Sequence, residues 1–161
     1  MRILAIDPGY ERLGIAIVEK LPKQKETLLY SACVQTSKEL PHAERLLRLA
    51  SEVRRVIDEC EPEAVAIESL FLVVNQKTAM KVAEARGAVL VEAARAGLPV
   101  HEYTPLQIKI AVTGYGRSEK AQVTEMVKKL ISLPAGKRLD DEYDAIAVGL
   151  TCLASEKLNN R

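Results

Sequence analysis

The chain has 161 residues, 48% of them apolar, and a formal charge of +1. That is the size of one ordinary domain with enough apolar side chains for a real core, so a single domain over residues 1–161 is expected. The total charge points to no polyanionic partner, and no apolar run approaches membrane-spanning length, which argues against a bilayer-embedded chain.

The elements follow in chain order. Residues 2–7 and 13–19 read as two apolar strands joined by "PGYER", a hairpin signal. "TLLYSACVQT" (27–36) is a third strand after the polar turn "PKQKE". Leu46, Leu47, Ala50, Val53, Val56 and Ile57 recur at helical spacing and predict a helix over 43–59. "EAVAIE" (63–68) is an apolar strand ending on an acid. A long helix fits 76–96, with Gly97 as its stop. "VHEYT" is a short strand. Thr104 then caps a helix, with Pro105 at its first position and Gln107 at the third, a capping-box pattern. "TGYGRS" breaks that helix, Ser118 is a candidate cap for a helix over 119–132, and a last helix runs over 141–157.

The order βββαβαβ followed by helices predicts an α/β fold. It is a mixed five-stranded sheet with helices on both faces. The first strand takes the centre, and a right-handed crossover sets the 63–68 strand beside it.

One feature of the first strand needs a chemical reason. Asp7 closes the apolar run "ILAID", and Pro8 and Gly9 follow directly. A carboxylate at a buried strand end must be desolvated, paired or bound to a cation. Glu68 closes the 63–68 strand in the same way, so both acids emerge at one sheet edge, beyond the strands' carboxyl ends. Asp141 and Asp144 in "DDEYDAIAVGL" are three apart, hence on one helix face, and Asp144 opens an apolar run that points inward. Singly, each acid has a plainer reading as turn, strand-end or cap residue. Together, four acids without matching cations would repel one another. A divalent cation resolves that, and oxygen-only ligands select Mg²⁺ or Mn²⁺. Two such ions suit phosphodiester hydrolysis.

Charge is unevenly spread. Residues 105–140 carry seven Lys/Arg against three acids, a local excess of +4, which leaves −3 for the remainder. Counting alone leaves a phosphate-binding face and a solvated helix surface both open. Arg117, in the glycine loop ahead of Ser118, would sit where a helix N-terminus can meet a phosphate. The single phenylalanine, Phe71, follows Glu68 by three residues and reads either as core or as a wedge against unpaired bases. The helix around Gly87 is rich in small residues and apolar on more than one face, more than packing on one sheet needs. Cys33, Cys60 and Cys152 are odd in number and far apart, and read as free thiols of a cytoplasmic protein. No Cys/His spacing suggests zinc. No secretory signal is expected, and His42 and His101 read as structural.

"AIDPGYERLGIAIVE", "AIESLF", "KTAMKVAEARGAVL", "YTPLQIKIAVTGYGRSEKAQV" and "DEYDAIAVGL" together resemble the RuvC family of Holliday-junction resolvases, in order and over nearly the whole chain. The resemblance implies a ribonuclease-H-like fold, a homodimer through the 76–96 helix, and Mg²⁺-dependent nicking of four-way DNA junctions. It places the family's catalytic carboxylates on Asp7, Glu68, Asp141 and Asp144, and its DNA-binding cations on Lys109 and Lys120. It also favours DNA contact for Phe71 and implies a RuvA–RuvB branch-migration partner. Ala5, where the family usually has glycine, is a departure that bears on packing. A related ribonuclease-H-like nuclease acting on structured RNA, and a non-catalytic junction-binding protein, are the alternatives.

Overall fold

The structure, a computed structural model, describes residues 1–70 and 76–159. Three strands open the fold: β1 (Arg2–Asp7), β2 (Arg12–Glu19) and β3 (Thr27–Gln35). Then come α1 (His42–Cys60), β4 (Ala64–Glu68), α2 (Gln76–Arg95) and β5 (Val100–Tyr103). Three helices close it: α3 (Pro105–Thr113), α4 (Lys120–Leu130) and α5 (Asp140–Asn159). The sheet order is β3-β2-β1-β4-β5, with β1 central. The first three strands pair antiparallel, whereas β4 runs parallel to both β1 and β5. This is the mixed five-stranded sheet that the order of elements predicts.

Side chains alternate between the two faces of the sheet. Leu4, Ile6, Ile15, Ile17, Val65 and Ile67 point to one face, where α1 and α2 cover them with Leu49, Val53, Val56, Ala85 and Val89. Ile3, Ala5, Ala16, Val18, Ala64 and Ala66 point to the other, under α3, α4 and α5. The second face is the thinner one, because alanines replace branched side chains there. It lets α5 approach closely: a Cβ on Gly149 would lie 2.6 Å from Cγ2 of Val18 and 3.0 Å from Cβ of Ala5. Ala5 therefore bears on packing, as expected.

The Thr104 capping box forms as predicted, with Thr104 accepting from the N–H of Gln107 and Gln107 returning the bond. The Ser118 cap does not. The cap of α4 is Glu119, whose N–H donates to the Gln122 side chain. Ser118 is buried, and its hydroxyl closes the preceding turn instead, bonded to the Tyr115 carbonyl and to Thr113 Oγ1, each at 2.7 Å. The α4 helix also ends two residues short of the predicted 132. Ser132 leaves it to pair with the edge of β3, accepting from Leu28 N–H at 3.0 Å and donating to the Glu26 carbonyl at 2.8 Å.

The α2 helix buries Ala85, Val89 and Ala93, yet Met80 and Val91 remain exposed, and a Cβ on Gly87 would meet nothing within 4 Å. The apolar surplus read from its sequence is therefore real surface. His42 is structural as expected, bonded to the Tyr10 hydroxyl and to Glu84, both at 2.7 Å. None of the three cysteines forms a disulfide; Cys152 is buried, Cys33 and Cys60 are half-buried, and burial pushes the Cys33 and Cys60 thiols up. Among the described residues no helix is long and apolar enough to cross a membrane.

The close approach of α5 makes Gly149 intolerant of branching. Gly149→Val should lose about 1–3 kcal/mol of stability through overpacking, measured by urea denaturation at neutral pH.

Candidate active site

The register of the sheet explains how two acids distant in sequence meet. Parallel pairing aligns Ile3 with Ala64 and Ile6 with Ile67. One step further, Asp7 stands level with Glu68. In a parallel pair, level residues point to the same face. For Asp7 and Glu68 this is the face of Ala5 and Ala66, under α5. Both carboxylates thus leave the carboxyl ends of the two central parallel strands on the side where α5 begins.

The N-terminal end of α5 supplies the other two, Asp141 in its first turn and Asp144 just beyond it. Asp141 and Asp144 are three residues apart and share a face of the helix. Gly14 brings that turn down onto the hairpin. It is the partner of Asp7 across the β1–β2 ladder, and a Cβ there would lie 2.1 Å from the Asp141 carbonyl oxygen and 3.1 Å from Cβ of Asp7. No other residue type fits between the Asp7 strand and the Asp141 backbone. Nothing in the sequence marked Gly14, because the constraint comes from a residue 127 positions away.

Two cationic side chains reach this cluster. Lys120, the first residue of α4, sets its Nζ 2.8 Å from Asp144 and 3.9 Å from Asp140. Arg12 at the start of β2 forms an ion pair with Asp141 and lies within hydrogen-bond reach of Cys33. Arg12 also went unmarked in the sequence, since only the hairpin geometry brings it to α5. A cleft of about 200 Å³ opens beside the cluster, lined by Glu68, Lys109, Lys120 and Asp144 with the apolar Ile108 and Val123. A second opening is lined by Asp7, Pro8 and Glu68.

The electrostatics follow from burial and like charge. Burial, then the charges of Asp144, Glu68 and Asp141, push the Asp7 carboxyl up to about 7, with Lys120 opposing. Burial, then the charge of Asp144, raises Glu68, against Lys120 and Lys109. Asp144 is raised mainly by burial, although Lys120 pulls it back. Burial alone would lower Lys120, but its bond to Asp144 and the surrounding acids outweigh that and raise it. Lys120 is thus firmly cationic.

Because Asp144 directly precedes the inward apolar run, the sequence leads one to expect it to be the most buried of Asp140, Asp141 and Asp144 and the closest to Asp7. Asp144 is not the most shielded: its side chain is 28% exposed, against 21% for Asp141. The reason is that Asp141 is roofed by Arg12 and the Gly14 hairpin, whereas Asp144 opens to the cleft. Asp144 does lead the carboxylates acting on Asp7, ahead of Glu68 and Asp141. Asp140, read from the sequence as either the helix cap or a solvent residue, is a solvent residue. It is the first residue of α5, and its side chain is 77% exposed. Lys109 lines the cleft as expected, whereas Arg117 lies exposed on the turn before α4 and away from the lining. Phe71 lies outside the described residues.

The donor chemistry of this cluster fits a hard divalent cation. It consists of carboxylate oxygens alone, and burial together with their mutual repulsion favours protonation of Asp7. Among the described residues no three acids, His or Cys close around one point as a ready-made cage. Asp141 and Asp144 are turned to Arg12 and Lys120 instead.

A mixed sheet of this order, with its carboxylates gathered at the ends of the central parallel pair, defines a ribonuclease-H-like fold of the resolvase type. The family model for "Crossover junction endodeoxyribonuclease RuvC" matches residues 3–152. The chain belongs to the RuvC family. The Desulfitobacterium hafniense crossover junction endodeoxyribonuclease RuvC is 45% identical over 161 residues, covering 100% of this chain and 97% of the relative. A Thermus thermophilus RuvC structure in complex with Holliday junction substrate is similar at 37% identity and a TM-score of 0.92, covering 99% of this chain and 96% of that one. The yeast mitochondrial Holliday junction resolvase Ydc2 shares the fold at 11% identity and a TM-score of 0.72, covering 97% of this chain and 79% of that one.

The elevated Asp7 carboxyl has a sign that can be measured. Its pKa is higher folded (about 7) than unfolded (3.8), so the native state binds the extra proton. Stability contributed by Asp7 is therefore lost as pH rises through the window from about 4 to 7. In chelator-treated buffer, Asp7→Asn should match the wild type near pH 4 and exceed it above pH 7. The ceiling of that gap is roughly 4 kcal/mol. Urea melts at pH 4, 6 and 8 would read it, and a gap independent of pH would show that Asp7 ionises normally.

Proposed function

We propose that the chain is a metal-dependent endonuclease that resolves four-way DNA junctions by paired symmetric nicks in recombination and repair. The observation that carries this reading is the convergence of Asp7, Glu68, Asp141 and Asp144 beside a cleft bordered by Lys109 and Lys120, in a chain of the RuvC family. The junction-bound Thermus thermophilus relative supports the substrate. Retention of all four acids favours catalysis over a non-catalytic junction-binding role. The family match favours DNA over structured RNA.

In this reading the four carboxylates hold Mg²⁺, with Mn²⁺ as a substitute, and two ions per site is the expected number. When bound, the ions neutralise charge on the scissile phosphate and lower the pKa of attacking water. The chain's own residues prepare that site. Asp7 stands between the sheet carboxylate Glu68 and the helix carboxylates, and Gly14 keeps the two sets close. Lys109 and Lys120 line the same cleft as Glu68 and Asp144, so an entering phosphate meets positive charge beside the acids. Arg117 and, by the family resemblance, Phe71 are the further DNA-contacting residues of this reading. Water adds to phosphorus in line, the P–O3′ bond breaks, and 5′-phosphate and 3′-hydroxyl ends result.

Two-fold junction symmetry calls for two such sites. A homodimer through the 76–96 helix supplies them, supported by exposed Met80 and Val91 and by the open surface at Gly87. The chain then works as a single nuclease domain in the cytoplasm, beside a RuvA–RuvB branch-migration complex.

The test separates binding from cleavage. Asp7→Asn and Glu68→Gln should each abolish nicking of a labelled four-way junction in Mg²⁺ while gel-shift binding to that junction survives. Normal nicking by either variant would refute the assignment. Lys109→Ala and Lys120→Ala should weaken junction binding alike for all sequences. Each should lower the slope of log affinity against log salt by about one unit, as lost phosphate contacts do. An unchanged slope would remove these lysines from the DNA interface.

A further inference from the structure

The run "DDEYD" carries a fourth acid that does not join the cluster. Glu142 is buried at 9% exposure, although its neighbours Asp140, Asp141 and Asp144 are acids of the open side. Helical geometry explains the split. At about 100° per residue, Glu142 lies roughly 160° around the helix from Asp144. Its carboxylate turns away from the cleft and is fully engaged. One oxygen accepts from the Ser31 hydroxyl at 2.6 Å, and the other accepts from the backbone N–H of Leu139 at 2.8 Å.

Both bonds have structural content. Leu139 precedes α5, and the Glu142 N–H donates to the Leu139 carbonyl at 3.1 Å. The side chain thus performs the reciprocal half of a capping box, which Leu139 has no side chain to complete. Ser31 belongs to β3, level with Ala16 on the face under α5. Arg138 also donates to Ser31, at 3.3 Å, and to the Pro134 carbonyl, at 3.0 Å. The first turn of α5 is therefore bolted to the sheet at two points. Backbone contact with Gly14 is one, and the Glu142–Ser31 bond is the other.

We propose that Glu142 is a positioning residue of the active site, which through Ser31 and the Leu139 N–H fixes the depth and rotation of the α5 turn that carries Asp141 and Asp144. It touches neither substrate nor metal. It acts through the two aspartates, as groups behind a metal's direct ligands commonly do. The inference rests on the metal-nuclease reading above.

The test uses the full-length chain and reads metal binding apart from catalysis. Mn²⁺ binding to the DNA-free protein is followed by the loss of the free-ion electron paramagnetic resonance signal. Glu142→Ala should weaken that binding about tenfold, the lower end for loss of such a support. Ser31→Ala should weaken it in the same direction by a smaller factor. Glu142→Gln keeps a carbonyl oxygen for Leu139 and an amide donor for Ser31, and should stay within about twofold of the wild type. In junction nicking, the half-saturating Mg²⁺ should rise in parallel, with the junction's own affinity unchanged. Wild-type Mn²⁺ affinity in Glu142→Ala would overturn the proposal. A Glu142→Gln as weak as Glu142→Ala would also overturn it, because charge rather than anchoring would then be responsible. If Glu142→Ala does not fold, Ser31→Ala carries the test, and unchanged Mn²⁺ affinity in it would overturn the proposal. A wild type that binds Mn²⁺ but nicks no four-way junction would sink the functional reading while leaving the anchor to be judged on Mn²⁺ alone.

Discussion

The constraint on which this structure turns is like-charge repulsion at one edge of the sheet. Asp7, Glu68, Asp141 and Asp144 stand close enough that burial first, and then the acids around it, push the Asp7 carboxyl up to about 7. Left to themselves such groups would splay into solvent. They do not, because each is carried by a rigid element: two on the central strands, two at the N-terminal end of the well-buried α5. A site built on strands and a packed helix keeps its geometry against a repulsion that loops would relax.

The thin face of the sheet makes that rigidity possible. Ala5, Ala16, Ala64 and Ala66 leave room for α5 to lie close, and Gly149 removes the last side chain between helix and sheet. Gly14 does the same at the helix start, where the Asp141 backbone sits against the hairpin. The opposite face, filled with Ile, Leu and Val, needs no such closeness and packs α1 and α2 as an ordinary apolar layer. Two faces of one sheet thus divide the labour between a core that supplies stability and a close contact that sets the site.

Cations tune the cluster without cancelling it. Arg12 pairs with Asp141, and Lys120 with Asp144 and more distantly Asp140, which leaves the strand acids Asp7 and Glu68 short of neutralisation. Lys120 and Lys109 stand on α4 and α3 and border the same cleft. Positive and negative charge therefore line one cleft side by side. An incoming phosphate and a divalent cation would each find the sign they need within one cleft.

Much of this was legible along the chain. Apolar runs ending in Asp7 and Glu68, the helical spacing of Asp141 and Asp144, and the order of strands and helices are local patterns, and local patterns survive without coordinates. The Thr104–Gln107 box formed as written because both partners lie within one turn. What tertiary structure alone decided is every relation across long sequence separation. The α4 helix stopped early because Ser132 found a strand edge about a hundred residues back, whereas Ser118 lost its capping role to Glu119 through a local competition, its hydroxyl being claimed by the turn that carries Thr113 and Tyr115. Arg12, Gly14 and Glu142 carried no signal, since their partners lie 129, 127 and 111 residues away. The sequence by itself determined which acids would be present and on which elements. Only packing of α5 against the hairpin and β3 decided which of the clustered acids faces the cleft, which is roofed and which serves as anchor, because a helix has one rotation and the sheet sets it.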